Sequence, residues 1–518
     1  MSGWILHVLR RVGVVVGRLL AYVLIWAGLA LLIAAAGIRF YWGKISVGQM
    51  LLNLVSVEID GGGGAVVWMG ILGIGVVPLL ITAGVALWQY LRRRERRRND
   101  DDVRPRRSRW ILRTASTAVV AAVVVGGSTA FATSVSVGDY IRAANSEYDL
   151  GDHYVEPTVT SDEHKRNLVL IYIESGEPHL ADDRLFGKEA FAPLEEVSKA
   201  SDGWQSVDGL QQYQGGGWTM AGLTATQCGV PLKGVGSAAG SGVVNELGGE
   251  LGTYLGGLAC LGDVLDEHGY DNVFLGGANA SFAAKDTFLS SHGYSEVKDL
   301  ADWRAAGEPE ENFRSDWGLS DERLMAHARD EIDELHAESE RSGRPFNLSL
   351  LTLDTHEPVH VFDYCDVDAQ NKVTSVFSCS MTQVAGFVDH MKEEGYLEDT
   401  AVVIMGDHLA PESFHEQLDG NDDDNDSRSI FNRIWIPGED GNSTLRPRVD
   451  QLNMYPTILE AAGLTLQDHE AGLGVSAFTS EIPDGSAQAM EPGPYAELLN
   501  SLSPRFYAKV WVGEDAAR

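Results

Sequence analysis

Three uncharged apolar runs near the beginning of the chain constrain its fold more than any other feature. They cover residues 19–38, 65–91 and 115–137. Each is long enough for a transmembrane helix, which needs about 20 apolar residues to cross the bilayer core. The first run is too long for the apolar core of a cleaved signal peptide, and two further runs follow it. The sequence therefore predicts a membrane domain over residues 1–138 with three transmembrane helices.

Basic residues around these runs predict how the membrane domain is oriented. The region 92–113, between the second and third runs, is rich in arginine, and Arg10, Arg11 and Arg18 precede the first run. Such basic segments stay preferentially on the cytoplasmic side of a membrane. We therefore expect a multi-pass protein of the cell membrane with a cytoplasmic N-terminus and a basic cytoplasmic loop. Three crossings then place everything after about residue 139 on the extracytoplasmic side.

The exported region is strongly acidic, which restricts its partners. Residues 1–138 contain 16 Lys+Arg and 6 Asp+Glu, whereas the rest of the chain contains 24 and 68. Nucleic-acid binding depends on basic side chains that contact phosphates. We therefore expect no nucleic acid as a partner, and we expect a metal ion to help this region if its substrate is anionic.

All four cysteines lie in the exported region. An even number of cysteines in an oxidising compartment favours disulfides. The sequence allows three ways of pairing them, and four buried free thiols are the alternative. We predict the two pairs that are nearest in sequence, Cys228 with Cys260 and Cys365 with Cys379.

Beyond a polar linker over residues 139–166, apolar strands alternate with helical segments. This alternation predicts a doubly wound α/β domain over residues 167–518. The predicted strands cover residues 168–173, 272–275, 346–353 and 401–405. The predicted helices cover residues 193–200, 261–268, 320–342, 384–394 and 455–463.

Two of these strands end abruptly in residues that bind metal ions. Glu174 follows the strand 168–173, and Asp407 and His408 follow the strand 401–405. In an open parallel sheet, ligands bind beyond the carboxyl ends of the strands. Carboxylate and imidazole groups suit Mn²⁺, Mg²⁺ or Zn²⁺. The sequence therefore predicts one divalent metal ion at this edge, although either segment alone could be an ordinary strand end.

Two further residues are candidates for the chemistry. Thr219 follows three glycines, and coordination to a cation would turn its hydroxyl into a nucleophile. The alternative is an ordinary turn threonine that caps a helix over residues 220–226. His356 lies just past the strand 346–353, where it could contact a phosphate oxygen or act as an acid or base. Its alternative is a structural histidine in a loop.

Several stretches together resemble a known family. They are residues 167–175, 217–222, 227–231, 276–293, 317–319, 352–358 and 407–410. Through them, residues 165–480 resemble the phosphoglycerol transferases of the alkaline-phosphatase/sulfatase superfamily. That group includes lipoteichoic acid synthases and the osmoregulated-glucan phosphoglycerol transferases. The resemblance implies a sulfatase-like fold, a phosphatidylglycerol donor in the membrane, and a glycan or glycerol-phosphate polymer as acceptor.

The resemblance also implies a site with one metal ion, usually Mn²⁺. Its ligands would be Glu174, Thr219, Asp407 and His408, and Thr219 would carry the phosphoglyceryl group as a covalent phosphothreonine intermediate. The implied substrate-binding residues are His356, Lys285, Trp218 and Trp317. Lys285 stands where lipoteichoic acid synthases place an arginine. The chain departs from those enzymes in having Ala283 where they have an aromatic residue, and three predicted spans where they typically have five.

Other functions remain open from the sequence. Sulfatases mature a cysteine or serine in the pattern Cys-x-Pro-x-Arg, whereas the segment that begins at Cys228 has a different spacing and no arginine. A phosphoethanolamine transferase or a phosphodiesterase could use the same metal site. A non-catalytic membrane-anchored protein would be expected to lack one of the ligands, but all four positions are filled.

Overall fold

The computed structural model describes residues 2–42, 47, 50, 68–98, 106–181, 187–233, 253–315, 317–369, 372–411, 414, 428–439, 441 and 445–511. The chain divides into two compact units. The first comprises Met1–Val47 and Gly63–Gly138, and the second comprises Gly48–Gly62 and Asp139–Arg518.

The first unit consists of long apolar helices. They are α1 (Ser2–Trp42), a π-helical turn (Ile71–Val76) that leads into α2 (Val77–Arg98), and α3 (Arg106–Ser134). Val12–Phe40, Trp68–Arg92 and Thr114–Ser134 are each long and apolar enough to cross a membrane. The expected three apolar helices are thereby confirmed, although residues 65–67 of the second predicted run lie outside the described residues.

Glycine allows two of these helices to pack closely. A Cβ atom added at Gly127 of α3 would lie 2.1 Å from the carbonyl oxygen of Gly28 in α1. Near the end of the same pair, Arg39 Nε donates a hydrogen bond to Ser134 Oγ at 3.1 Å. Close backbone approach at small residues is a common way for helices to associate in a membrane.

The second unit is built on a six-stranded sheet with the order β4-β3-β5-β2-β6-β7. All neighbouring strands are parallel except β7, which runs antiparallel to β6. The strands of the unit, in chain order, are β1 (Val159–Ser161), β2 (Asn167–Ile173), β3 (Asp271–Gly276), β4 (Glu296–Lys298), β5 (Phe346–Leu351), β6 (Thr400–Gly406), β7 (Asn432–Trp435), β8 (Thr465–Leu466), β9 (Glu470–Ala471) and β10 (Gly474–Val475).

Helices cover both faces of this sheet. The helices after residue 136 are α4 (Val137–Ala144), α5 (Ala192–Val197), α6 (Thr219–Cys228), α7 (Leu261–Glu267), α8 (Lys285–Ser291), α9 (Leu300–Ala305), α10 (Asp321–Ser342), α11 (Lys372–Glu393), α12 (Met454–Ala461), α13 (Pro492–Asn500) and α14 (Pro504–Val510). On one face the apolar core includes side chains of α6, α7 and α12, and on the other it includes side chains of α5, α10 and α11. The predicted doubly wound α/β fold is therefore confirmed.

Burial on both faces explains why the central strands are apolar at every position. In β2, Leu168, Leu170 and Tyr172 belong to one core cluster, and Val169 and Ile171 belong to the other. Successive side chains of a strand point to opposite faces, so a strand covered on both sides needs apolar residues throughout.

Two regions contain more regular structure than the sequence indicated. The helix predicted over residues 384–394 begins twelve residues earlier, at Lys372. The apolar pattern did not indicate its first half, because small polar side chains such as Thr374 and Ser378 are buried there. The segment predicted as a polar linker contains most of α4 and all of β1, which pairs antiparallel with β8.

The two predicted disulfide pairs are confirmed. Cys228 is bonded to Cys260, and Cys365 is bonded to Cys379. The first bond joins the last residue of α6 to the residue before α7, and the second joins a loop to α11.

We expect loss of the first disulfide to destabilise the protein more than loss of the second. The bonds span sequence separations of 32 and 14 residues, for which loop-closure entropy gives about 4 and about 3 kcal/mol. The test is thermal unfolding of the full-length protein in detergent, comparing the double variants Cys228→Ala/Cys260→Ala and Cys365→Ala/Cys379→Ala. A larger drop in Tm for the second variant would contradict this ranking.

Candidate metal centre

Parallel pairing of β2 with β6 brings the first two candidate ligands together. Ile173 is paired with Gly406 at the carboxyl ends of these strands, so Glu174 and Asp407 leave the sheet side by side. Both are buried, with 4% and 0% of their surfaces exposed. Asp407 N also donates to Ile173 O at 3.1 Å, which continues the ladder one step past the strands.

His408 and Thr219 complete the cluster. His408 Nε2 lies 3.4 Å from Glu174 Oε1 and 3.5 Å from Asp407 Oδ2. Ligand atoms of Glu174, Asp407 and His408 all lie within 4.8 Å of one another. The Thr219 hydroxyl donates to Glu174 Oε2 at 3.2 Å. All four predicted ligands therefore lie together. Glu174, Asp407 and His408 are buried, and Thr219 is half-buried.

The hydrogen bonds of these side chains fit a cation. Asp407 Oδ1 accepts from the backbone N–H groups of Ser175 and His408 at 2.9 and 2.8 Å, whereas its buried Oδ2 has no hydrogen-bond partner among the described residues. His408 Nδ1 lies 2.8 Å from the carbonyl oxygen of Leu409, so this nitrogen is the donor and Nε2 faces the carboxylates. A histidine that binds a metal ion through one ring nitrogen typically donates a hydrogen bond from the other, as Nδ1 does here.

Thr219 does not act as the cap of its helix. It is the first residue of α6, and the N-cap position is Trp218, whose backbone is extended. The alternative of a capping threonine therefore does not describe the structure, because the hydroxyl is directed to Glu174 instead. A group attached to this hydroxyl would lie beside the N–H groups of the first helical turn, which favour anions.

The predicted substrate-binding residues surround the cluster to different degrees. His356 is half-buried, and its ring lies 4.0 Å from that of Trp317, centroid to centroid. Lys285 is buried and lies close enough to Glu174 for that charge to raise its pKa, although burial lowers the pKa overall. Trp218 is half-buried next to Thr219.

The chain matches known proteins through this same region. Residues 213–464 match the family model described as Sulfatase. Over 352 residues the chain is 31% identical to "Phosphoglycerol transferase I" of Escherichia coli O139:H28 and of Shigella boydii serotype 18, covering 66% of this chain and 42% of each relative.

The chain carries a sulfatase-family domain.

It spans less than half the length of the curated relatives that it matches. Those relatives are named as transferases, and sulfatase-family domains are enzymes. A protein of the alkaline phosphatase superfamily from Vibrio parahaemolyticus shares the fold, with a TM-score of 0.51 and 19% identity over 73% of this chain and 96% of that chain.

Electrostatics in the sulfatase-family domain favour a divalent cation at the cluster. Burial raises the pKa of Asp407, and the charge of Glu174 raises it further, to about 7. Burial lowers the pKa of His408, but the two carboxylates outweigh it and raise the pKa to about 10. Burial also opposes ionisation of Glu174, yet the imidazoles of His356 and His408 hold its pKa well below the usual range. In the metal-free protein, His408 thus supplies the positive charge that a metal ion would otherwise supply.

A buried arginine that the sequence analysis missed holds the loop of His356. The guanidinium of Arg314 donates to the carbonyl oxygens of Leu353, His356 and Pro358 at 3.1, 3.2 and 2.6 Å. The carboxylate of Asp321 accepts from the backbone N–H of Leu353 at 2.7 Å. Neither residue follows a strand, so no local signal distinguished them.

A second missed pair supports the segment after His408. Glu177 is fully buried and forms a two-point ion pair with Arg428, with N–O distances of 2.8 and 2.6 Å. Glu177 Oε2 also accepts from Ala410 N at 3.1 Å, and Arg428 donates to Ala410 O at 2.6 Å. Such paired, hydrogen-bonded charges are strong when buried, so Ala410 is fixed by both partners.

We expect Asp407 to contribute less to the stability of the metal-free protein as pH rises from about 4 to about 7. The pKa of Asp407 is raised from 3.8 to about 7 in the folded state, so the unfolded chain releases this proton first and gains stability relative to the folded one. The measurement is Tm against pH for the EDTA-treated full-length protein in detergent. Asp407→Asn should show a shallower fall over the same pH range.

Addition of Mn²⁺ should raise Tm more at pH 7 than at pH 5, because ligands bind the ion in their deprotonated form. An unchanged slope in Asp407→Asn would show that this carboxylate does not control the pH dependence.

Proposed function

We propose that the chain is a membrane-anchored, metal-dependent phosphoglycerol transferase. It moves glycerol phosphate from phosphatidylglycerol to a hydroxyl group of an extracytoplasmic glycan or polymer. The observation that carries this proposal is the position of Thr219. This residue begins a helix, and its hydroxyl donates a hydrogen bond to Glu174, which lies in one cluster with Asp407 and His408. The 31% identity to named phosphoglycerol transferases supports the choice of substrate.

Glu174, Thr219, Asp407 and His408 would hold one metal ion, for which we expect Mn²⁺, with Mg²⁺ or Zn²⁺ as alternatives. A divalent cation bound there would lower the pKa of the Thr219 hydroxyl and offset negative charge on the phosphoryl oxygens. Asp407 Oδ2, which makes no hydrogen bond among the described residues, and the orientation of His408 support this assignment.

In the first step, Thr219 Oγ1 attacks the phosphorus of the donor. Glu174 Oε2, which accepts the hydrogen bond of the hydroxyl at 3.2 Å, orients this oxygen. The proton of the hydroxyl is released to solvent, because the pKa of Glu174 is held well below the usual range. The bond from phosphorus to the diacylglycerol oxygen breaks, and that oxygen takes up a proton, which we assign to His356. To Lys285, whose pKa is lowered by burial and raised in part by the charges of Glu174 and Asp407, we assign the offsetting of developing phosphoryl charge, which is the kind of stabilisation that phosphoryl transfer needs.

In the second step, an acceptor hydroxyl attacks the phosphothreonine and passes its proton to His356, which gave one up in the first step. The bond from phosphorus to Thr219 Oγ1 breaks, and this oxygen takes up a proton from solvent. Water in place of that hydroxyl would give a phosphodiesterase, and an ethanolamine headgroup in the donor would give a phosphoethanolamine transferase. The metal cluster serves each reaction equally. A sulfatase that matures Cys228 is disfavoured, because this cysteine is bonded to Cys260.

A lipid donor fits the membrane unit. Three helices of this chain are apolar enough to cross a membrane, and the basic region 92–113 supports a cytoplasmic position for the loop that contains it. We therefore place the sulfatase-family domain on the extracytoplasmic side of the cell membrane, where a donor with two acyl chains and an acceptor glycan can both reach it.

We expect Thr219→Val to abolish transfer of labelled glycerol phosphate from phosphatidylglycerol to a glycan acceptor. Loss of a covalent nucleophile typically lowers kcat by a factor of about 10⁴ or more. Thr219→Ser keeps a hydroxyl and should retain measurable transfer. The assay uses the full-length protein in detergent with Mn²⁺, and mass spectrometry of trapped enzyme should locate a phosphoglyceryl group on Thr219.

Thr224→Val is a matched control, since Thr224 lies in the same helix, is fully buried and has no hydrogen-bond partner for its hydroxyl among the described residues. It should keep transfer near the wild-type level. Transfer by Thr219→Val at the wild-type rate would refute the nucleophile, and release of free glycerol phosphate without any acceptor product would favour the phosphodiesterase.

A further inference from the structure

A buried glutamine connects the two loops that form the metal centre. Gln451 is fully buried. Its Nε2 donates to the carbonyl oxygen of Asp407 at 2.7 Å, and its Oε1 accepts from the backbone N–H of Tyr213 at 3.3 Å. One amide side chain thus joins the backbone of a predicted metal ligand to the segment 212–218 that leads into Thr219.

Two glycines leave the space in which these groups meet. A Cβ atom at Gly216 would lie 2.5 Å from Gln451 Oε1, and one at Gly222 would lie 2.1 Å from the carbonyl oxygen of Asp407. Both distances are far shorter than a van der Waals contact, so side chains at either position would push the loops apart. Gly216 precedes Thr219 by three residues, and Gly222 follows it by three. The chain on both sides of Thr219 is therefore in close contact with the hydrogen bond between Gln451 and Asp407.

The backbone around Gln451 is itself fixed. Gln451 N donates to Gln211 O at 3.1 Å, and Gln211 N donates to Val449 O at 2.8 Å. Gln451 begins a 3₁₀ turn that is capped by the side chain of Asp450. The amide therefore extends from a rigid base, which is what a group needs in order to hold two other segments at a set separation.

A second glutamine makes a parallel connection nearer the surface. Gln212 is half-buried, and its Oε1 accepts from the backbone N–H of Leu409 at 2.8 Å. It therefore ties the residue after His408 to the same segment 212–218. The two glutamines contact the loop 407–409 at both of its ends.

We propose that Gln451, assisted by Gln212, is a positioning residue for the transfer reaction. It sets the separation between the attacking oxygen of Thr219 and the carboxylate of Asp407 by holding their backbones, and it touches neither the substrate nor the reacting atoms. The inference rests on the proposed function for its effect on transfer. Its effect on the metal ligands can be measured without any substrate.

The test compares Gln451→Met, which has a similar length and no hydrogen bonds, with Asn272→Leu as a matched control. Asn272 is also buried, and its Nδ2 donates to two backbone carbonyls, those of Gly262 at 3.0 Å and Gly293 at 2.9 Å. It lies near the amino-terminal end of β3, at the opposite edge of the sheet from the centre. Three quantities are measured on the full-length protein in detergent: kcat and KM for phosphatidylglycerol, the affinity for Mn²⁺ alone by calorimetry, and Tm.

We expect Gln451→Met to lower kcat by about tenfold to a hundredfold, because a displacement of about 1 Å at a reacting group has effects of this size. KM should change by less than about threefold, since the side chain does not touch the substrate. The affinity for Mn²⁺ should fall by at least about threefold, because Asp407 loses its backbone restraint. Asn272→Leu should leave kcat and Mn²⁺ affinity unchanged even if its Tm falls.

Gln212→Met keeps the inference testable if Gln451→Met does not fold, because Gln212 is half-buried and its removal leaves the core intact. It should lower kcat and Mn²⁺ affinity in the same direction by smaller factors. The inference is wrong if a folded variant keeps both quantities within about twofold of the wild type, or if Asn272→Leu changes them equally.

Failure of the proposed function gives a different result. Wild-type protein that transfers no glycerol phosphate would refute that function, and the comparison of Mn²⁺ affinities would still decide whether Gln451 positions the ligands. A variant whose kcat falls while its Mn²⁺ affinity stays within about twofold of the wild type would overturn the positioning role, because that role predicts that both quantities fall together.

Discussion

The candidate metal centre depends on the parallel pairing of β2 with β6. These strands are adjacent in the sheet but are far apart in sequence, and their register places Glu174 beside Asp407. The segments that leave these two strands remain close together. A Cβ atom at Gly406 would lie 2.2 Å from the carbonyl oxygen of Gly176, so there is no room for a side chain at Gly406. A shift of one residue in this register would turn either carboxylate to the opposite face of the sheet.

Burying two carboxylates and an imidazole at this edge is unfavourable unless each is compensated. The protein compensates them partly with backbone N–H groups, two of which donate to one oxygen of Asp407. The other oxygen of Asp407 makes no hydrogen bond among the described residues. This oxygen, and the carboxylate charges that now attract His408, are available to a cation. The surrounding ion pair of Glu177 with Arg428 and the loop contacts of Arg314 keep this arrangement from relaxing when the cation is absent.

The sequence predicted those parts of the structure that have a local signature. A continuous apolar run ending in Glu174, and another ending in Asp407, indicated both the buried strands and the candidate ligands. Gln451 and Arg314 have no such signature, because each acts through contacts with segments that are distant in the chain. Periodicity reports which face of an element is buried, but it does not report which loops meet.

Helix α6 has a distinct chemical role at each end. Its first residue is Thr219, and its last, Cys228, is covalently joined to the residue before α7. A bond of this kind persists only where thiols are oxidised. With the domain on the proposed extracytoplasmic side, newly made chains in a reducing compartment would hold this helix by packing alone, so the scaffold of the proposed nucleophile would mature only after export.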